Sequence, residues 1–215
     1  MQRKLLVPKN INGITLGQYQ KFLTISEGIE GEFLNQRIVE VFCNIPYHEV
    51  ANIAYKDVQE IVDTITKILE DKGSFMHRFF IEGVEFGFIP HLEEITSGEF
   101  ADLTNYISDM QELHKAMAVL FRPTTTIVKD KYDIIRYEGT KEWGDMMKFM
   151  PLGAALGALV FFWNLMKDLE RGINHSIKQK AVDMILAEQP HLVKSGVSIN
   201  TSTHLLKEML QNLTK

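Results

Sequence analysis

The stretch Phe149–Met166, FMPLGAALGALVFFWNLM, is the most apolar part of the chain and contains no charged residue. Its eighteen residues lie at the lower limit for a helix that crosses a bilayer, and Gly153 and Gly157 have the GxxxG spacing of packed membrane helices. Pro151, however, fits the first turn of a helix better than its interior, so the continuous helix is shorter than the apolar stretch. We therefore predict a helix over 152–166 that is buried inside a soluble assembly and uses its glycines for close backbone approach.

The composition of the chain excludes some classes of ligand but says little about the fold. The chain has 215 residues, of which 45% are hydrophobic and 24% charged, and a formal net charge of -5. This length suits one domain with extensions or two small domains. The acidic balance argues against sequence-independent nucleic-acid binding, because that depends on clustered Lys and Arg. Cys43 is the only cysteine, so no intrachain disulfide forms, and its helical surroundings indicate a small buried apolar side chain.

Residues 1–75 have the hydrophobic periodicity of helices. Thr15 is in position to cap a helix that runs to about Ser26. Asp57 is predicted to cap the clearest amphipathic helix, which Gly73 ends. The apolar face of that helix consists of Val58, Ile61, Val62, Ile65, Ile68 and Leu69.

A β-hairpin is predicted after His77, because aromatic and β-branched residues flank a tight turn at Glu82 and Gly83. Thr96 and Glu99 then form a T-x-x-E capping box, in which each side chain bonds the backbone amide of the other residue. This box predicts the start of a helix. A further helix is predicted to restart at Asp109 and to stop before Pro123.

The next segment is predicted to contain a second hairpin and a short helix. Residues 124–126 are interpreted as a polar connector, and the alternation around Asp130 and Lys131 predicts a hairpin or an extended arm. Thr140 is predicted to cap a short amphipathic helix that carries Trp143.

These patterns predict a mainly α fold with small β-hairpin elements (α+β) and a helical core around the helix 152–166. We expect a helical N-terminal region (1–75), an α+β core with hairpins and the buried helix (76–189), and a C-terminal loop with an amphipathic docking helix (190–215).

No pattern in the sequence indicates a catalytic, cofactor or metal site. A hairpin could bring together His77, His91, Glu85, Glu93 and Glu94, but these residues lack a recognised ligand spacing, and solvated side chains are the better interpretation. Phosphate-binding glycine loops and a nucleophile elbow do not occur in the sequence. We therefore predict a protein that is not an enzyme and needs no cofactor or metal.

The candidate residues for protein interaction are two core residues and a C-terminal stripe. Arg122 precedes Pro123, where a guanidinium can complement the carbonyl dipole of a helix or pair with a carboxylate. Trp143 is the aromatic candidate. The stripe either folds back on its own chain or binds a neighbouring subunit. It consists of Leu205, Leu206, Met209, Leu210 and Leu213.

A set of short motifs in the middle of the chain carries a family resemblance. The motifs are Gly87-Phe88-Ile89-Pro90, Ile95-Thr96, Gly98-Glu99-Phe100, Asp102-Leu103, Leu120-Phe121-Arg122-Pro123, Tyr132, Tyr137-Glu138-Gly139, Met150-Pro151-Leu152 and Phe161-Phe162. This set, within about residues 79 to 166, resembles a family of small ring or neck proteins encoded near the head-to-tail and tail genes of tailed bacteriophages, crAss-like phages included. The motifs are structural rather than catalytic.

The resemblance implies a virion protein, present in the host cytoplasm during assembly, that forms a homo-oligomeric ring linking portal to tail. Its partners would be copies of itself, the portal and neighbouring rings, with no membrane and no specific nucleic acid. DNA would pass through the opening of such a ring, where an acidic lining would keep the duplex from adhering. Two alternatives stay open: a cytoplasmic tail-assembly chaperone that the virion does not retain, and a small membrane protein anchored by Leu152 to Met166.

Overall fold

The computed structural model describes residues 5–129, 131–165 and 167. Within this part of the chain there are seven α-helices and one four-stranded antiparallel sheet, which confirms the predicted α+β class. The helices are α1 (Leu16–Ser26), α2 (Gly31–Phe42), α3 (Tyr47–Val50), α4 (Tyr55–Leu69), α5 (Ser97–Tyr106), α6 (Leu113–Leu120) and α7 (152–165). The strands are β1 (Arg78–Ile81), β2 (Val84–Phe88), β3 (Phe121–Val128) and β4 (Lys131–Ile134), in that spatial order.

Local capping sets the start of two helices as predicted. Thr15 caps α1 by accepting a hydrogen bond from the Gln18 amide at 3.2 Å, and the Gln18 side chain accepts from the Thr15 amide at 3.0 Å. Thr96 caps α5 through the predicted box with Glu99. The predicted cap at Asp57 is wrong, because α4 begins at Tyr55 and Asp57 lies in its first turn, where its charge favours the helix dipole.

The β1–β2 hairpin has the predicted turn. Glu82 and Gly83 both adopt positive φ, at 49° and 85°, as tight hairpin turns require. The strands pair antiparallel, with Phe79 opposite Phe86. Because alternate residues of a strand point to the same face, one face of the sheet is aromatic and buried. Its members include Phe79, Ile81, Phe86, Phe88 and Phe121.

Strand β3 begins earlier than predicted. The interpretation of residues 124–126 as a connector is wrong, because they belong to β3, whose first residues pair with β2 and whose last residues pair with β4. The predicted hairpin around residues 130 and 131 is confirmed by the pairing of Val128 with Lys131. Sheet pairing therefore overrides the polar composition of this segment.

Two predicted helix starts are also corrected. Asp109 does not begin a helix: its side chain accepts from the Gln111 amide at 2.8 Å, which forms a turn, and α6 begins at Leu113. Thr140 begins only a single turn, closed by the Gly144 amide on the Thr140 carbonyl at 2.7 Å, and a short 3-10 helix follows at Met146–Phe149. Gly144 is a poor helix former, which fits the interruption.

Helix α7 begins at residue 152 as predicted and is largely buried in its first turns. Its Leu152, Ala154, Ala155 and Ala158 side chains are 0% exposed, whereas Phe161 is 37% exposed. The helix is therefore buried on all sides only over its first part. Within the described residues, no helix combines the length and apolarity needed to cross a membrane.

The glycines of α7 allow close backbone approach, as predicted, but their neighbours are not helices. A Cβ at Gly157 would collide with the Ser74 carbonyl, and a Cβ at Gly153 would collide with the Asn12 side chain. Gly73, with φ of 69°, in turn lies against the Gly153 backbone. The segment that follows α4 and the 3-10 turn at Ile11–Gly13 therefore occupy the groove that a second membrane helix would need.

The N-terminal helices share one apolar core with the sheet and α7. The Leu16 amide donates to the Met150 carbonyl at 3.0 Å, and the Leu152 amide donates to the Ile14 carbonyl at 2.8 Å. Gln20, which is 5% exposed, donates to the Met110 carbonyl at 2.8 Å. The predicted boundary after residue 75 falls between α4 and β1, and the region 190–215 lies outside the described residues.

Candidate binding cavity around Arg122 and Trp143

Arg122 lies near the start of β3, opposite Gly87 of β2. Its Nη2 atom is 2.7 Å from the Oε1 atom of Glu99 on α5, and the two side chains are only 8% and 7% exposed. Of the two roles predicted for Arg122, the structure therefore shows the pairing with a carboxylate. The pair joins the sheet to α5.

Glu99 uses both of its carboxylate oxygens. Oε1 faces Arg122, while Oε2 accepts from the Thr96 amide at 2.8 Å and from the Thr96 hydroxyl at 2.7 Å. Burial by itself raises the pKa of Glu99, but the Thr96 hydrogen bonds and the positive charge of Arg122 outweigh it and lower the pKa below its usual value. Glu99 is therefore ionised at neutral pH and neutralises Arg122.

Tyr137 also contacts the Arg122 guanidinium. The Cζ atom of Arg122 lies 5.5 Å from the centre of the Tyr137 ring, within the range of a cation–π contact. The Tyr137 hydroxyl donates to Asp102 Oδ2 at 2.5 Å. Burial, together with this hydrogen bond, raises the pKa of Tyr137. Two carboxylates of α5 therefore hold β3 and the segment that follows β4.

A cavity of about 230 Å³ lies beside this arrangement. Buried Ala118 and Arg122 form its floor, and exposed charged side chains form its rim. The partly buried walls are Ile135, Tyr137, Gly139 and Trp143, and the rim consists of Arg136, Glu138 and Glu142. The two core residues that the sequence suggested for interaction are thus brought to one cavity.

Two residues of this cavity carry buried N–H donors without an acceptor. Arg122 Nε and Trp143 Nε1 have no hydrogen-bond partner among the described residues. The Trp143 ring packs edge-on against Phe86, with ring centres 5.7 Å apart, so it is held by the core. Because an unpaired buried donor costs about 1–3 kcal/mol and is uncommon, this pair of donors marks the cavity as a candidate binding site.

Sequence reasoning missed part of this site. Glu99 was assigned only a capping role, and the contacts of Tyr137 and Asp102 were not predicted. Glu99, Asp102 and Tyr137 all belong to the motifs that carry the phage resemblance. Their membership in these motifs was the sequence signal that could have identified them. The stripe Leu205, Leu206, Met209, Leu210 and Leu213 lies outside the described residues.

The residues of the resemblance motifs contact one another around the sheet. The Tyr132 ring lies over Gly87, where a Cβ would collide with it. The Tyr132 hydroxyl donates to the Phe88 carbonyl at 2.8 Å. Together with the pair of Glu99 and Arg122, these contacts give the motifs a role in maintaining the fold.

The candidate metal ligands do not converge. His91 pairs with Glu93 at 3.4 Å on the surface, and Glu85 pairs with Arg78 at 3.4 Å. In the part of the chain that the structure describes, no three His, Cys, Asp or Glu side chains are placed to hold a metal ion.

A larger cavity of about 820 Å³ lies between the N-terminal segment and helices α2 to α4. Cys43 contributes to its lining and is 5% exposed. Burial raises the pKa of the Cys43 thiol to about 11, so the thiol is protonated at neutral pH and has little nucleophilic character. This agrees with the predicted buried apolar role.

Comparison with known proteins finds no family, curated protein or solved structure that matches the chain.

Proposed function

We propose that this chain is a structural subunit of a homo-oligomeric ring in the neck or tail of a tailed bacteriophage, between portal and tail. The observation that carries the proposal is the outer half of the β3–β4 hairpin. Residues 125–128 of β3 are all exposed, and among them the apolar Ile127 and Val128 are 49% and 62% exposed. Exposed apolar side chains on a strand favour contact with another protein.

A second apolar surface lies on a different strand of the same sheet. Phe80 on β1 is 65% exposed, and β1 and β4 are the two terminal strands. A subunit with two different contact surfaces can bind one neighbour through each, which is the heterologous arrangement that closes into a ring. The resemblance supports the same proposal, because its motifs hold the sheet from which both surfaces arise.

The first experiment measures assembly of the purified full-length chain by light scattering and electron microscopy. The variant I127T/V128T removes apolar surface but keeps β-branched side chains, so the strand preference is retained. We expect the unmodified chain to form rings and this variant to remain small. Tyr55→Thr, at another side chain that is 67% exposed, is the matched control and should assemble normally.

Mixing two variants tests whether the contact is heterologous. Phe80→Thr keeps the hairpin surface intact, and I127T/V128T keeps the Phe80 surface intact. If the hairpin of one subunit binds the β1 side of the next, an equimolar mixture forms one-to-one dimers that cannot grow, although neither variant assembles alone. A symmetric contact between identical surfaces would give no mixed dimer.

Quantitative mass spectrometry of purified particles separates a ring subunit from a chaperone. A ring protein is present in a fixed number of copies per portal. A tail-assembly chaperone is absent from particles but co-purifies with tail proteins from infected cells. A chain that stays monomeric and occurs in neither fraction would overturn the proposal.

A further inference from the structure

The unpaired donors of Arg122 and Trp143 belong to two residues that line the same cavity. Arg122 is 7% exposed and its Nη2 atom contacts Glu99, while its Nε atom has no acceptor among the residues that the structure describes. The indole of Trp143 offers a single donor, Nε1–H, and can accept nothing. Both residues therefore require a hydrogen-bond acceptor rather than a donor.

The charges around the cavity favour a neutral acceptor over an anion. The ionised Glu99 already neutralises Arg122, because its pKa is lowered by the Thr96 hydrogen bonds and the guanidinium. The exposed rim adds one cation, Arg136, and two carboxylates, Glu138 and Glu142. An anion that entered would lose its hydration without meeting an uncompensated positive charge.

The size and the walls of the cavity fit an amide group with a short apolar attachment. Its volume of about 230 Å³ is well above the roughly 10–15 Å³ that a single bridging water needs. Ile135, the Tyr137 ring and the Trp143 ring supply apolar surface beside the two donor-bearing residues.

We propose that this cavity binds the carbonyl oxygen of a neutral amide, either a peptide carbonyl or the side chain of Asn or Gln. The acceptor receives hydrogen bonds from Trp143 Nε1 and Arg122 Nε, and its apolar attachment packs between the rings of Tyr137 and Trp143. This site is independent of ring formation and exists in a monomer as well.

Binding requires a small opening of the wall. Both nitrogen atoms are closed to solvent in the structure, so an acceptor reaches them only once the wall beside Trp143 shifts. Gly139, just before the turn over residues 140–144, has φ of 95°, a conformation that glycine adopts without strain. The turn itself is held by the hydrogen bond from the Gly144 amide to the Thr140 carbonyl.

The experiment follows the indole N–H resonances of the full-length protein, which contains two tryptophans. Trp143→Phe identifies the Trp143 resonance, and Trp163 is the internal control. The probes are N-methylacetamide, a neutral amide, and acetate, an anion of similar size. We expect a saturable downfield shift of the Trp143 resonance with N-methylacetamide, no shift of Trp163, and an apparent affinity for acetate that is roughly tenfold lower.

Arg122→Lys tests the second donor without removing the cation that Glu99 needs. The variant lacks Nε–H, and its affinity for N-methylacetamide should fall about threefold to tenfold, as expected for one hydrogen bond. Its thermal unfolding is measured in parallel to show that the fold persists. No saturable shift, tighter binding of acetate than of the amide, or unchanged affinity in a folded Arg122→Lys protein would overturn the proposal.

A final measurement assigns the source of the amide. The Trp143 resonance is compared in dilute monomer and in self-associated protein. A shift in the same direction as the one caused by N-methylacetamide assigns the carbonyl to a second copy of the chain. An unchanged Trp143 resonance in assembled protein assigns the carbonyl to a different polypeptide or to a free amide. In either case, the response of this resonance to N-methylacetamide decides whether the site exists.

Discussion

The two halves of strand β3 have opposite surroundings although they are continuous in sequence. Phe121, Arg122 and Pro123 are buried and pair with β2, whereas residues 125–128 are exposed and only Ile127 and Val128 among them pair with β4. The inner half is fixed by aromatic packing and by the Arg122–Glu99 ion pair. The comparison teaches that one strand can stabilise a fold at one end and offer unused apolar surface at the other.

The largest loss of stability is expected from substitutions in the inner half of β3. Arg122→Met leaves the Glu99 carboxylate buried without its cation, and we expect a loss of about 3–5 kcal/mol in the free energy of unfolding. Urea denaturation followed by circular dichroism measures it. The double variant E99Q/R122M removes both charges, and the carboxamide oxygen introduced by E99Q still accepts from the Thr96 amide, so this variant should recover much of the loss. Equal instability of the single and double variants would contradict the role of the ion pair.

A smaller loss of stability is expected at Gly87 of β2, which pairs with Arg122 in the inner half of β3 and lies under the Tyr132 ring. Gly87→Ala pushes its Cβ into the Tyr132 ring, and we expect a loss of about 1–3 kcal/mol, as for overpacked cores. Tyr132→Phe is the control, because it removes only the hydroxyl that bonds the Phe88 carbonyl and should cost about 1 kcal/mol. Gly98→Ala, where a Cβ meets open space, should not destabilise. A neutral Gly87→Ala variant would show that the Tyr132 contact is dispensable.

Acid should weaken the inner half selectively. The pKa of Glu99 is lower in the folded protein than its ordinary value of 4.5, so its contribution to stability is complete above that ordinary value and is lost as the pH falls through the lower folded pKa. The stability difference between the unmodified protein and Glu99→Gln should therefore shrink below about pH 4.5. Denaturation curves of both proteins from pH 7 to pH 2.5 measure it. A constant difference would contradict the ionised state assigned to Glu99.

The smallest effect on stability is expected at the outer half. I127T/V128T should change the free energy of unfolding by no more than about 0.5 kcal/mol per site, because both side chains are exposed. The same variant should lose assembly if the hairpin is a contact surface. Thermal unfolding of the dilute protein measures the effect on stability, and light scattering of the concentrated protein measures the effect on assembly. A large drop in stability would show that the outer half also serves the fold.

Much of the local structure could be predicted because it depends on residues close in sequence. The Thr96–Glu99 box spans three residues, and the Glu82–Gly83 turn is set by backbone preferences at two positions. The start of α7 follows from Pro151 for the same kind of reason. One error occurs where segments distant in sequence meet, at β3, whose first residues pair with β2 and whose later residues pair with β4. Other errors are local and concern the helix starts predicted at Asp57, Asp109 and Thr140.

The candidate site could be predicted only in part. Arg122 and Trp143 were identified as candidates from the sequence, but their meeting at one cavity depends on how β3 and the turn before α7 pack. The partner of Arg122 was unpredictable in the same way, because Glu99 lies on a different element and its capping role already explained its presence.

The sequence by itself determined the starts of α1, α5 and α7, the Glu82–Gly83 turn, the apolar character of α7 and the need of its glycines for a close neighbour, because each depends on the chemistry of a few adjacent residues. Only the tertiary structure decided which segments meet: Glu99 with Arg122, Tyr132 with Gly87, and residues 73–75 with α7. Such pairings depend on packing the whole core at once, since each contact forms only when the elements that carry both partners are already in place.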